Sequence, residues 1–415
     1  MTPAAEAAVP PGGQAQHLPT PDNPPIPERI TPVWEATRVP GQQPASSARI
    51  LRVLHVINGE HYSGAERVQD LLALRLPAHG FAVGFACLKQ GRFESQRQSV
   101  HAPLFQLSMR SRFDLRPARQ LARLIRQHDY ALLHTHTPRA LLVGRLAAIM
   151  AGVPIVHHLH SPALADSTHR LRNWVNASVE RLALMGTAHL VAVSESLADH
   201  ACRLGISRQR ISIVHNGVPV LGPLPLRPAP RLTWNLGVVA LFRPRKGLEV
   251  LLEALARLRQ QGERVKLLAV GPFETPQYEE AIRGKAAALG LNNAIEWRGF
   301  RSNVTAELMQ MDLFVLPSLF GEGLPMVILE AMAAGVPVIA SGVEGVLEVI
   351  RHGVDGLLAT PGDPHDLAQA IRSVIRGEVC WRTLRRHAHA RQAQSFSDES
   401  MAIKLAALYH RIFQP

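Results

Sequence analysis

Leu313-Phe-Val-Leu-Pro317-Ser-Leu-Phe320-Gly-Glu322-Gly-Leu-Pro325-Met-Val-Ile-Leu-Glu330-Ala-Met-Ala-Ala-Gly335-Val-Pro-Val-Ile-Ala340 contains a complete supersecondary unit. Residues 313–317 are apolar without alternation, as in a strand covered on both faces. Glycines at 321 and 323 then mark a loop. The segment from about Pro325 has the length and composition of a helix, and proline suits a first helical turn. A second apolar run, near 336–340, reads as the next strand. Strand, crossover helix and strand make a parallel βαβ unit.

The same alternation extends in both directions. Downstream a strand is expected near 356–359. Upstream, strands are expected near 235–241, 265–270, 294–298 and 312–316, with a helix over Leu248–Leu258. Residues 219–231, with five prolines, break the pattern. Before them, strands are expected at Ile50–Ile57 and near 81–88, 131–135, 154–158, 188–193 and 211–214. Helices fall near 66–76, 115–127, 139–151, 170–184 and 195–204. The fold class is therefore α/β, with two doubly wound domains in series and a ligand crevice at the carboxyl ends of their strands. The expected division is a disordered Pro/Ala-rich tail over 1–48, a domain over 49–220, a linker over 221–232, a domain over 233–395, and a helix over 396–415 packing back on the first domain.

With 415 residues, 47% hydrophobic and 19% charged, the chain can bury a sizeable core. No apolar run reaches the roughly 18 residues that cross a bilayer. The start, MTPAAEAAVPPGG, lacks the basic and apolar regions of a secretory signal, so a cytoplasmic location is expected. Cys87, Cys202 and Cys380 are far apart and are expected to be small core residues rather than a disulfide or zinc framework. The net charge of +12 is carried almost entirely by arginine and favours anionic partners. At 5% aromatic residues and with no nucleic-acid motif, binding to nucleic acid is not expected.

Glu322 lies in the glycine loop, and Glu330 lies one to two turns into an otherwise apolar helix. Two carboxylates so placed can accept hydrogen bonds from sugar hydroxyls, and the helix start can receive an anion. Between a strand and the helix at Leu248 stands Phe242-Arg243-Pro-Arg245-Lys246-Gly247, whose cations can stabilise charge developing on a leaving group. Ser63-Gly64-Ala65-Glu66 forms a loop before a helix, where Gly64 lets a substrate approach the backbone. In His157-His158-Leu-His160 the alternation puts His158 and His160 on one face and His157 on the other, with no acidic or sulfur ligand nearby to complete a metal set. His134 and His136 end a neighbouring strand. The chain has no D-x-D, no Walker loop and no G-x-G-x-x-G.

The spacing Glu322–seven residues–Glu330, followed by Ala-Met-Ala-Ala-Gly-Val-Pro-Val and continued by Gly345-Val-Leu-Glu348 and Gly353-Val-Asp-Gly-Leu-Leu, resembles the retaining glycosyltransferases of family 4 (glycosyl transferases group 1). The resemblance runs from about Ile50 to the C-terminal helix. It implies the GT-B fold. It also implies that Glu330 holds the donor ribose, that Glu322 approaches the donor sugar, and that the backbone of Gly323, Leu324, Pro325, Met326 and Val327 cradles the diphosphate. Lys246 matches the family's Lys-Gly. Where the family has Gly-Arg this chain has Ala240-Leu241, which leaves Arg243 as the candidate guanidinium. Gly64 matches a family loop with serine in place of its first glycine, and His160 matches the histidine that contacts the donor sugar.

The expected function is retaining transfer of a sugar from a UDP- or GDP-sugar to a glycan or lipid-linked acceptor, in bacterial polysaccharide or glycolipid synthesis, without a metal or other cofactor. A basic amphipathic helix bearing Arg116, Arg119, Arg123 and Arg126, with Arg110 and Arg112 ahead of it and Arg170, Arg172 and Trp174 extending it, suggests peripheral contact with an anionic membrane. The alternatives are a nucleotide-sugar epimerase of the same fold and a non-catalytic nucleotide-sugar or RNA-binding module.

Overall fold

A computed structural model describes residues 50–109, 114–161, 184, 187–230 and 232–414. The tail over 1–48, most of the helix expected near 170–184, and Arg110, Arg112, Arg170, Arg172 and Trp174 lie outside the described residues.

Buried apolar runs form two sheets. The first holds β1 (Leu51–Ile57), β2 (Phe81–Cys87), β3 (Leu104–Gln106), β4 (Tyr130–Thr135), β5 (Ile155–Leu159), β6 (His189–Ala192) and β7 (Ile211–Ile213), in the order β3-β2-β1-β4-β5-β6-β7. The second holds β8 (Trp234–Val239), β9 (Val265–Val270), β10 (Ile295–Gly299), β11 (Leu313–Leu316), β12 (Val338–Ser341) and β13 (Gly356–Ala359), in the order β10-β9-β8-β11-β12-β13. Every ladder pair is parallel. Strand order reverses between β1 and β4 and again between β8 and β11, so each sheet has its crevice there, outside the carboxyl ends.

The helices of the first half are α1 (Gly64–Arg75), α2 (Arg92–Gln96), α3 (Arg116–Gln127), α4 (Pro138–Ala151) and α5 (Glu195–Arg203). Those that follow are α6 (Leu248–Gln260), α7 (Pro276–Ala288), α8 (Val304–Leu308), α9 (Met326–Ala333), α10 (Val346–Val349), α11 (Pro364–Ile375), α12 (Trp381–Ser395) and α13 (Asp398–Phe413). Amphipathic spacing sets their orientation: α6 buries Leu248, Leu251, Leu252, Leu255 and Leu258 against its sheet. The end of the chain returns to the first half. Arg75 Nε meets Asp398 Oδ2 of α13 at 2.8 Å, and Tyr409 is buried edge-on against Phe81, ring centroids 5.1 Å apart.

Three local expectations are corrected. The edge strand β3 was not foreseen, because three partly buried residues carry no readable period. Pro325 caps α9 with an extended backbone instead of sitting inside its first turn. Cys87 is buried and Cys202 partly so, but Cys380 is exposed at the start of α12.

Candidate functional site

Loops leaving the carboxyl ends of the two sheets meet one another. Pro317 ends the β11 ladder, since it has no N–H to donate. Gly247 follows Lys246 with φ +65°, and a methyl group on it would stand 2.0 Å from the Pro317 carbonyl oxygen. Only glycine satisfies both demands, so the loops after β8 and β11 lie in contact. Lys246 Nζ thereby sits 2.5 Å from Glu322 Oε1, and the Ser318 hydroxyl donates to the same oxygen at 2.6 Å. Glu322 is 5% exposed and Ser318 fully buried. Burial lowers the Lys246 ammonium pKa, and the Glu322 charge opposes that. A desolvated pair of this kind contributes little net stability. The pair is better understood as charge held ready beside a loop. Glu344 fixes that loop by accepting from the backbone N–H groups of Gly321 and Glu322 at 3.0 and 3.2 Å.

Helix α9 is buried on almost every side, and Glu330 lies within it at 7% exposure. Its partner comes from the other half: Arg67 Nη1 of α1 lies 2.5 Å from Glu330 Oε1, a charge contact rather than an aligned hydrogen bond. Burial raises the Glu330 carboxyl pKa, and the guanidinium opposes this. Ahead of Arg67, the Ser63 hydroxyl and N–H both reach the Glu66 carboxylate, at 2.6 and 3.3 Å, which caps α1. Gly64 faces α9, since a methyl group on it would stand 3.5 Å from Met326 Cγ. Gly323 approaches more closely: its methyl would lie 2.1 Å from the His160 carbonyl oxygen and 3.2 Å from Leu197 Cδ1. The Asn216 amide donates to the Leu324 carbonyl at 2.9 Å. Glu348 accepts from the Glu195 and Ser196 N–H groups at the start of α5, at 2.8 and 3.1 Å. The first N–H groups of α9, at Met326 and Val327, lack intrahelical acceptors by construction.

His160 follows β5 directly, beside this loop. Gln69 is wholly buried, and its amide orientation is set by donation to the Ala65 carbonyl at 2.9 Å. The same nitrogen lies 3.1 Å from His160 Nε2. Nε2 is then the acceptor, which assigns the ring proton to Nδ1, an atom without a partner among the described residues. Burial lowers the His160 pKa to about 4, so the ring is neutral at pH 7. Behind it lies a layer of imidazoles contributed by three adjacent strands: His55 on β1, His134 of β4 with His136 just beyond it, and His158 of β5. All four are buried. Their contacts run from His160 Nε2 to His136 Nδ1 (3.2 Å), His136 Nε2 to His55 Nδ1 (3.1 Å), and His55 Nε2 to the Tyr409 hydroxyl (3.3 Å), which also reaches His134 Nδ1 at 2.5 Å. His157 points to the opposite face and meets Thr135.

Of the residues singled out from sequence, the structure gathers His160, Lys246, Glu322, Glu330, Gly64 and Gly323 with the loop 323–327. Arg243 lies near enough to act on the Lys246 charge but is paired elsewhere. Its guanidinium turns to Glu274 at 3.5 Å, and Arg245 instead donates to the Gly321 carbonyl at 3.0 Å. Arg67, Gln69, Ser318, Glu344 and Glu348 were missed as site residues. The clearest available signal was the Glu66-Arg67 pair immediately after the Gly64 loop.

The family model for glycosyltransferase family 4 matches residues 62–220, and that for glycosyl transferases group 1 matches residues 234–376. Over 265 residues the chain is 32% identical to a phosphatidyl-myo-inositol mannosyltransferase of Mycobacterium leprae; the match takes in 60% of this chain and 66% of that protein, just under two thirds of its length. It is 24% identical to an Escherichia coli UDP-Gal:alpha-D-GlcNAc-diphosphoundecaprenol alpha-1,3-galactosyltransferase, over 79% of this chain and 89% of the other. Among solved structures, Anabaena Alr3699/HepE in complex with UDP and glucose superposes with a TM-score of 0.75 at 23% identity, covering 87% of this chain and all of that one. Sucrose-phosphate synthase from Thermosynechococcus elongatus gives 0.74 at 22%, covering 88% and 99%. The fold they share with this chain is GT-B.

Proposed function

We propose, from the premise that this chain belongs to the glycosyl transferases group 1, family 4 enzymes, that it moves a sugar from a nucleotide diphosphate sugar to a glycan or lipid-linked acceptor, with retention at the anomeric carbon. The observation that carries the reading is the buried Lys246–Glu322–Ser318 cluster one loop away from Glu330, with His160 of the other half abutting Gly323. Glu330 accepts from the ribose hydroxyls once Arg67 swings from it toward the diphosphate. The start of α9 receives that diphosphate, and Lys246 meets the charge that grows on its leaving oxygen. His160 Nδ1–H donates to a donor-sugar hydroxyl. The leaving phosphate takes the acceptor proton on the same face, so no side-chain nucleophile is needed. Arg67, rather than Arg243, supplies the guanidinium.

No divalent ion enters this scheme, so transfer is expected to persist in EDTA. The complexes of HepE with UDP and with UDP-glucose make UDP-sugars the first donors to try. The mannosyltransferase and galactosyltransferase names favour a lipid-linked acceptor and a place in bacterial glycolipid or polysaccharide synthesis. Peripheral docking fits the surface. Arg116, Arg119, Arg123 and Arg126 are exposed along α3, and Ile149 (71% exposed), Met150 and Leu146 project from the adjoining α4. Among the described residues no helix is long and apolar enough to cross a membrane.

The test is transfer from UDP- and GDP-sugars in EDTA, with the product's anomeric configuration read by NMR. Gly323→Ala should lower turnover about 100-fold, since its methyl pushes the loop from His160 and a displacement of about 1 Å costs that much. An inverted product, or undiminished turnover in Gly323→Ala, would contradict the scheme.

A further inference from the structure

The imidazole layer behind the donor site holds more ligating nitrogen than the transfer reaction uses. His158 is 1% exposed, and neither of its ring nitrogens has a partner among the described residues. A buried polar group left so is costly, and it calls for a ligand. His158 stacks on His160 with centroids 4.2 Å and planes 25° apart, so one ring turns before both lone pairs meet one ion, and the His136 centroid lies 5.5 Å from each. One nitrogen from each of His136, His158 and His160 can be chosen so that all three lie within 4.8 Å of one another. Two nitrogens bound to one tetrahedral ion at roughly 2.0–2.1 Å stand about 3.3 Å apart, and His136 Nδ1 and His160 Nε2 are 3.2 Å apart. His160 Nε2 carries its lone pair toward the Gln69 amide N–H at 3.1 Å, the bond an ion would replace. His136 presents one once its proton rests on Nε2, which lies 3.1 Å from His55 Nδ1.

The geometry points to a transition-metal site in which His136, His158 and His160 hold one late first-row divalent cation, Zn2+, and in which the ion replaces the Gln69 amide on His160 Nε2 and so turns the ring whose Nδ1–H meets the donor. The sequence reading weighed only the histidines of β5 and found no completing ligand; the completing ligand is His136, brought alongside by the strand order. Imidazole suits zinc, and three such ligands leave a fourth position open. The ion here inhibits; it plays no part in transfer.

The test uses the full-length protein, stripped with EDTA, freed of the chelator and titrated with Co2+, whose tetrahedral complexes absorb strongly in the visible. Expected are visible bands saturating at one Co2+ per chain, their displacement by one equivalent of Zn2+, and binding at least about 100-fold weaker in His158→Asn and in His160→Asn. His160 sits at a strand end, so its variant serves should the buried His158→Asn not fold. The absence of such bands in the unaltered protein, or equal binding by a folded variant, overturns the site. Inhibition rests on the donor-site reading of His160 and is read separately: one equivalent of Zn2+ should lower transfer at least about tenfold. One bound ion with undiminished transfer overturns the inhibitory role. Because the Co2+ spectrum needs no donor, it decides the site even if no transfer is found.

Discussion

Lys246→Ala is expected to lower kcat about 100- to 1,000-fold, equivalent to about 3–4 kcal/mol of lost transition-state stabilisation, with a much smaller change in donor KM. Lys246 is the ammonium on the loop after β8, it is desolvated, and its partner Glu322 lies on the loop that leads into α9. Charge on the leaving diphosphate grows as the glycosidic bond lengthens, so a fixed cation there acts more in the transition state than in the ground state. Removing it also strands a buried carboxylate, which costs roughly 3–5 kcal/mol of stability. The two effects can be separated. Lys246→Ala combined with Glu322→Gln removes both charges and should recover most of the lost melting temperature while kcat stays low. If kcat of Lys246→Ala lies within about threefold of the unaltered enzyme, the assigned role is wrong.

A second large effect is expected with acid. Burial lowers the pKa of His55 and His157 to about 3 and that of His160 to about 4, and holds His134, His136 and His158 well below 6.5. These rings are neutral in the folded chain, whereas in the unfolded chain they take up protons near pH 6.5. Below that pH the unfolded state binds more protons, so stability falls as pH falls, and it goes on falling until the folded-state pKa values are reached. At pH 5 each fully excluded ring costs up to about 2 kcal/mol. Six such rings, together up to about 12 kcal/mol, are comparable with the roughly 5–15 kcal/mol that keep a domain folded. In EDTA, far-UV circular dichroism should therefore show cooperative unfolding with a midpoint between about pH 5 and 6, above the range where carboxylates protonate. A folded baseline retained to pH 4 would show that the layer is not dry.

Much of this architecture was legible because its strands are short, apolar and separated by proline, glycine and amphipathic helices. Lys246 and His160 were placed by reading strand ends, where this class of sheet puts its ligands, and Glu322 and Glu330 by the glycine loop and apolar helix that carry them. Arg67 and Glu348 were not, since their partners Glu330 and Glu195 come from the other half of the chain. Arg243 shows a related limit. A strand-end arginine looks available in sequence, and only the packed structure turns it to Glu274. The histidines illustrate the same limit. Alternation put His158 and His160 on one face, but nothing local says that β4 lies next to β5 and β1 next to β4, with His55, His134 and His136 on that face too.

The central claim is a metal-free nucleotide-sugar site built on Glu322, Glu330 and Lys246. Its most direct test is thermal stabilisation by UDP-, GDP- and ADP-sugars in EDTA, repeated with Glu330→Ala. The account predicts that one nucleotide class raises the melting temperature, by an amount that grows with ligand concentration, and that Glu330→Ala abolishes the rise. No rise with any donor, an equal rise in the variant, or stabilisation by RNA instead would contradict it.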